Sequence, residues 1–317
     1  MKQYETHVIL GAGGAVTRAL VPELLRNRQR VQLVSRSGSA MTGAAGIAAD
    51  VTDYEALRTA VPEGSAVYLL VGLPYDVRVW ETTWPPIMDN VIRVCREKSA
   101  LLVFFDNVYM YGLVRGPMTE QSSHNPVSRK GKVRALIADK LTNEFTSGRL
   151  DAIIARSADF YGPGAEKSGI PNVLVFQNVL RGKKAQWLGR ADKPHSLTYT
   201  TDCGRALPLL VGDESAHNQV WHLPTAHPPL TGRQFAHSVA AEMGASPSCS
   251  VLSPLMVKLG GMFDRTIHEL SEMLYQNMND YLFDSSRFED HFSFTPTSYE
   301  QGIAETVSYY RQVEERE

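Results

Sequence analysis

The chain has 317 residues, 43% hydrophobic and 21% charged, an ordinary globular balance that excludes a disordered chain, a collagen-like fibre and a solvating tail. Thirty-two Lys and Arg against 34 Asp and Glu leave a formal charge of -2, with no basic excess to release counterions from a phosphate backbone, so no nucleic acid partner is expected. No run approaches the roughly 18 apolar residues of a membrane span, and the opening MKQYETHVILGAGG lacks the pattern of a secretory signal, so a soluble, cytoplasmic protein with no membrane partner is expected.

Short apolar runs then alternate with helical patterns. Strands are expected at residues 7–10, 31–35, 46–49, 66–71, 101–105 and 152–155, and helices at 15–27, 54–61, 84–98 and 130–147. This alternation is the signature of βαβ units, and it predicts an α/β fold with a doubly wound parallel sheet of the Rossmann type. From Pro163 onward Gly and Pro become frequent and apolar runs shorten, which places a boundary near residues 160–170. The expected division is a nucleotide-binding domain over 1–165, joined by 196–225 because 220–223 reads as one more buried strand, and a smaller α/β, mainly substrate-binding lobe over 166–317. Helices are expected there at 232–243 and 301–310. Cys95, Cys203 and Cys249 lie far apart, without zinc or disulfide spacing, and read as small buried apolar groups. His217, His222 and His227 stand five apart among prolines, and no metal site is expected.

Directly after the first strand comes Gly11-Ala12-Gly13-Gly14-Ala15-Val16-Thr17, where strand must turn sharply into helix. Glycines there let the backbone approach a pyrophosphate, whose charge meets free N–H groups and the positive end of the helix dipole. The second strand ends Val34-Ser35-Arg36-Ser37, so a cation and two hydroxyls stand where an acid would accept the ribose hydroxyls of NAD. A guanidinium can fork onto a phosphate, which predicts NADP, with NAD as the alternative and an ordinary exposed loop residue as the plain reading of Arg36. Asp50, with Val51 after it, follows the third strand and is a candidate acceptor for the adenine amino group.

GAGGAVT, AADVTD, DNVYMYG and RSADFYGPG, each after an expected strand, together resemble the extended short-chain dehydrogenase/reductase family, which includes NAD(P)-dependent epimerases and dehydratases. TYTTDCGRAL and FTPTSYEQGIAETVSYY extend the similarity over nearly the whole chain. The resemblance implies a Ser or Thr four residues before the Tyr of a Tyr-Gly pair, and a Tyr and a Lys four apart on the next helix. Here the pair is Tyr111-Gly112, the hydroxyl position holds Asn107, and the helix positions hold Lys130 and Arg134. All three members are replaced, and Thr17 stands at the third glycine position, where its branched side chain is expected to space helix from strand. Arg cannot shuttle a proton; a Lys can do so only through its neutral form, which burial and a cationic neighbour favour. The opposing reading makes Arg129, Lys130, Lys132 and Arg134 a solvated basic face, with Gly131 delaying the helix start.

Further acid/base or substrate candidates at the carboxyl edge of the sheet are Asp106, Tyr109, Asp159 and Tyr161, with His195 in a Lys-Pro-His-Ser loop. Trp80 and Trp84 are either core residues or the lining of a substrate pocket. The expected function is NAD(P)-dependent oxidoreduction, epimerisation or dehydration of a small hydroxyl or carbonyl substrate, nucleotide sugars among the candidates. In it Lys130, or a Tyr near it, handles the proton and Asn107 and Tyr111 orient the substrate. The alternative is a non-catalytic NADP-binding sensor or scaffold. Pairing of helices 84–98 and 130–147 across a two-fold axis, common in the family, makes a homodimer the oligomer to consider.

Overall fold

The computed structural model describes residues 4–315. In chain order the elements are β1 (Thr6–Leu10), α1 (Ala15–Arg26), β2 (Arg30–Ser35), β3 (Ala45–Ala48), α2 (Tyr54–Ala60), β4 (Ala66–Leu69), α3 (Val77–Glu97), β5 (Leu101–Asp106), α4 (Arg129–Thr146) and β6 (Ala152–Arg156). They continue with β7 (Asp159–Tyr161), α5 (Gln177–Leu180), β8 (Ala185–Leu188), β9 (Leu197–Tyr199), α6 (Thr200–Gly212), β10 (Gln219–His222), α7 (Gly232–Glu242) and β11 (Cys249–Leu252). The last are α8 (Pro254–Gly260), α9 (Arg265–Ser271), α10 (Leu274–Met278), α11 (Ser286–Phe292) and α12 (Tyr299–Glu314).

Two compact units contain these elements. The first comprises the residues up to Gly112, Ser123–Ser157 and Cys203–Leu223. Its seven strands form one sheet in the order β10-β6-β5-β4-β1-β2-β3, with every neighbouring pair parallel. Helices cover both faces, so β1, β4 and β6 are buried at every residue, as a parallel sheet demands. The strand order reverses between β1 and β4, and in such sheets ligands bind outside the carboxyl ends of the strands at that reversal. This is the doubly wound Rossmann-type fold that the alternating pattern predicts.

In the first unit element ends differ from the expected ones by a residue or two, with one larger exception; in the second, the last helix, expected over 301–310, runs from Tyr299 to Glu314. The third helix was expected from 84 and starts at Val77, where the Asp76 side chain accepts from the Arg78 N–H. Pro85 and Pro86 lie inside it. Burial of Trp80, Trp84, Ile87, Met88 and Val91 along one stripe holds the helix through them. The fourth helix begins at Arg129, capped by the Ser128 hydroxyl on the Gly131 N–H at 2.9 Å; Gly131 does not delay it.

The second unit comprises Leu113–Ser122, Ala158–Asp202 and from Pro224 onward. Residues 113–122, 158–165, 196–202 and 224–225, expected with the nucleotide-binding domain, group here. Two parallel two-stranded pairs, β8 with β11 and β7 with β9, flank an aromatic core of Tyr161, Phe176, Trp187, Tyr199, Phe235, Tyr299 and Tyr310. The sequence pattern showed none of these strands, each three or four residues long. Among the described residues no helix is long and apolar enough to cross a membrane.

Candidate functional site

The glycine turn closes as the sequence predicts. Gly11 has φ +113°, and a Cβ there would stand 2.8 Å from the Leu70 carbonyl oxygen, so only glycine fits between β1 and the end of β4. A Cβ on Gly13 would meet nothing within 4 Å; the turn is open on that side. Gly14 is the N-cap of α1 and offers no side-chain cap, which leaves the N–H groups of Ala15 and Val16 in the first turn to an anion. Thr17 does not wedge helix from strand. It is fully buried, and its hydroxyl donates to the Gly11 carbonyl at 2.6 Å, tying the turn shut. Backbone, open space and helix terminus together fit a dinucleotide pyrophosphate.

At the end of β2, Arg36 is exposed beside a run of hydroxyls: Ser37 Oγ lies 3.4 Å from Ser35 Oγ and 2.6 Å from Ser39 Oγ. Asp50 accepts from the Thr52 N–H and hydroxyl at 2.9 and 2.7 Å. Those bonds, with a smaller contribution from the Arg36 charge, hold its carboxyl below the usual range. Val51 is half-buried beside it. Asp50 thus braces the turn after β3 through one oxygen.

At the carboxyl end of β5 the replaced triad positions come together. Lys130 is fully buried and Arg134 is 4% exposed, so the solvated basic face is corrected; only Arg129 and Lys132 of that run face solvent. Lys130 Nζ lies over the Tyr75 ring, 4.6 Å from its centroid. Arg134 Nε donates to Asp106 Oδ1 at 2.7 Å, and its guanidinium stands 4.7 Å from the Trp84 ring centroid and 4.8 Å from that of Phe104. The anion that meets the Arg134 charge is Asp106. Asp106 was considered as a substrate contact, and its buried carboxylate is instead shared by Arg134 and Arg156, the latter at 3.6 Å from Oδ2.

Asn107 Oδ1 accepts from the Tyr109 N–H at 3.0 Å and shapes the short 3-10 turn Tyr109–Tyr111. Tyr111, expected to orient substrate, is 1% exposed. Its hydroxyl sits 2.8 Å from His222 Nε2 and accepts from Arg156 Nη1 at 2.7 Å. Arg156 also reaches His124 Nε2 at 2.9 Å. Burial, then the Arg156 charge, lowers the His124 pKa, against a raising contribution from Asp139, whose carboxylate lies 2.7 Å from Nδ1. Tyr111 is therefore the hub of a buried network, with no route to solvent through its own ring. Tyr109 is half-buried and its ring stacks on Trp80, centroids 6.2 Å apart. Trp80 and Trp84 are core residues, 6% and 3% exposed.

In the second unit, His195 Nε2 lies 2.9 Å from Asp159 Oδ2 and its ring stacks on Tyr281, centroids 4.3 Å apart. His195 and Asp159 line a small pocket with Trp187, Leu174, Gln186 and Asn277. Tyr161, expected at a substrate edge, is corrected: it is fully buried between Phe176, Tyr199, Phe235 and Tyr299, and burial holds its phenol well above the ordinary range. Among the described residues no three His, Cys, Asp or Glu side chains gather to hold a metal ion. Sequence reasoning missed Tyr75, Arg156, His124 and His222, whose bonds to Tyr109, Tyr111 and one another span 32 to 111 residues; no local spacing could have joined them.

Residues 7–223 match the NAD dependent epimerase/dehydratase family, and no curated protein sequence matches the chain. Among solved structures, it is similar to dTDP-glucose 4,6-dehydratase from Bacillus anthracis str. Ames in complex with NAD, with a TM-score of 0.78 and 15% identity over 98% of this chain and 97% of that one. UDP-glucose 4-epimerase from Thermotoga maritima, solved with UDP-glucose, gives a TM-score of 0.79 at 17% identity over 97% and 99% of the two chains. The UDP-glucose 4-epimerase of Thermus thermophilus, complexed with NAD, gives 0.77 at 17% over 96% and 99%. Identities this low speak for the fold, while the match through 217 consecutive residues speaks for descent, and the chain belongs to the NAD dependent epimerase/dehydratase family.

Proposed function

We propose that this protein is an NADP-linked enzyme that moves a hydride to or from a carbon bearing oxygen, in an oxidoreduction, epimerisation or dehydration of a small hydroxyl or carbonyl substrate. The observation that carries the reading is the turn at Gly11 and Gly14, closed against Leu70 and open toward an uncapped helix terminus. Gly11, Gly13, Gly14, Ala15 and Val16 would hold the pyrophosphate, with Val51 and Asp50 beside the adenine. Arg36 and the serine run would hold a 2′-phosphate, because a guanidinium and hydroxyls suit a dianion better than they suit a ribose diol. The bound nicotinamide supplies the hydride chemistry.

The chain's own residues supply position and proton. Asn107 fixes the turn that presents Tyr109. The Asp106–Arg134 pair, buried and bonded, locks the first turns of α4 to the end of β5, and so sets where Lys130 stands. Lys130, or a phenol beside it, moves the proton at the substrate oxygen. Tyr111, walled in by His222 and Arg156, acts as a positioning residue.

Titration with NADPH and with NADH tests the cofactor. Arg36→Ala is expected to weaken NADPH by about tenfold or more, the loss of roughly one charge-assisted phosphate contact, and to leave NADH nearly unchanged; equal weakening overturns the 2′-phosphate assignment. A redox screen against pooled metabolites, nucleotide sugars included, follows nicotinamide absorbance beside a Lys130→Ala control. Turnover that the control lacks is the expected outcome.

A further inference from the structure

The loop between β4 and α3 ends in Tyr75, at the carboxyl edge of the sheet and beside the reversal of strand order. Its hydroxyl lies 3.3 Å from that of Tyr109, which comes from the adjacent strand's loop, and its ring face carries the Lys130 ammonium. Both phenols are half-buried, unlike Tyr111. A phenol next to a lysine ammonium is a chemically complete acid/base couple: the cation stabilises the phenolate that remains when the proton leaves. We propose that Tyr75 is the catalytic acid/base of this enzyme, with Lys130 as its charge-stabilising neighbour and Tyr109 as the hydrogen-bond partner of its oxygen. The proposal rests on the hydride-transfer reading above and names the proton carrier within it.

In the reducing direction the Tyr75 O–H bond breaks and its proton forms the new O–H bond on the substrate oxygen; a bound reduced nicotinamide would supply the electron pair, as hydride, to the carbonyl carbon. Tyr75 is left as phenolate against the Lys130 charge, and solvent restores its proton through the half-open Tyr75–Tyr109 pair. In the oxidising direction the same atoms move in reverse. Lys130 keeps its own protons throughout, which removes the need for a neutral buried lysine. Trp80 presents its ring edge-on to Tyr75, centroids 5.7 Å apart, and walls the pair from the core side. The charged groups on the elements around it are Asp76, whose carboxylate accepts from the Arg78 N–H, Arg129 on Glu81 and Arg134 on Asp106.

An ultraviolet titration of the tyrosinate band, run on the whole chain without substrate, tests this. The expected result is one phenol that ionises about one pH unit or more below the others; it is absent in Tyr75→Phe and moved to higher pH in Lys130→Met. Should Lys130→Met not fold, Tyr109→Phe, at a half-exposed position, serves as the second variant, and it too moves the ionisation upward. If Tyr75 titrates with the other phenols, so that wild type and Tyr75→Phe differ only at the alkaline end, the proposal is overturned. The two readings fail separately: a wild type that binds no nicotinamide nucleotide defeats the enzyme reading, whereas a Tyr75→Phe protein with wild-type turnover defeats the proton role alone.

Discussion

At the scale of single residues, the chemistry of this chain lies in buried polar groups whose partners are far away in sequence. His7 on β1 is one. Its Nδ1 sits 2.9 Å from the Tyr68 hydroxyl on β4, and burial lowers its pKa to about 4. Between that value and 6.5 an unfolded chain takes up a proton that the folded chain refuses. Stability is therefore fully present above pH 6.5 and is lost as pH falls toward 4, by roughly 3 kcal/mol for a shift of this size. Urea midpoints measured across that window should fall in the wild type and fall less in His7→Gln; parallel losses in both would locate the acid sensitivity elsewhere. The glycine turn was legible because all its parts are adjacent in sequence. The Asp106–Arg134 pair was not, since the sequence shows two cations one turn apart and gives no sign that a strand-end carboxylate 28 residues earlier meets one of them. Tyr75 escaped notice for the same reason.

Elements show the opposite balance. The first six strands and four helices follow from hydrophobic periodicity, which each element carries within itself, and the expected ends hold to a residue or two except at the start of α3. The short strands of the second unit have no period to read. Packing between elements makes its own demand at Gly131. A Cβ there would stand 2.6 Å from the Tyr109 carbonyl oxygen, a backbone atom that has little room to yield. Helix propensity alone makes Gly131→Ala stabilising by about 1 kcal/mol; overpacking costs about 1–3 kcal/mol. The net expectation is a lower Tm, together with weaker turnover as Lys130 is displaced from Tyr75. A variant with a raised Tm would show that α4 and the Tyr109 turn are less closely packed than described.

The whole molecule does not divide at one point in its sequence. The first unit needs Cys203–Leu223, because β10 from that segment pairs with β6 through Gln219 to His222, and α6 passes so close that a Cβ on Gly204 would stand 2.5 Å from the Ala19 carbonyl carbon. A chain ending after Tyr161 should therefore resist proteolysis poorly and associate through its open strand edge; a compact, monomeric and protease-resistant fragment of that length would contradict the division. The sheet's outer strand also has a consequence for biosynthesis. At about 5–20 residues per second a ribosome takes roughly 3–13 s to add the 66 residues from Ser157 through His222, and for that interval β6 has no neighbour on one side. A nucleotide-binding unit written in three pieces must wait for its last piece before it closes, so the nascent chain carries a hydrophobic strand with an unmet row of donors and acceptors, a natural point of engagement for a chaperone.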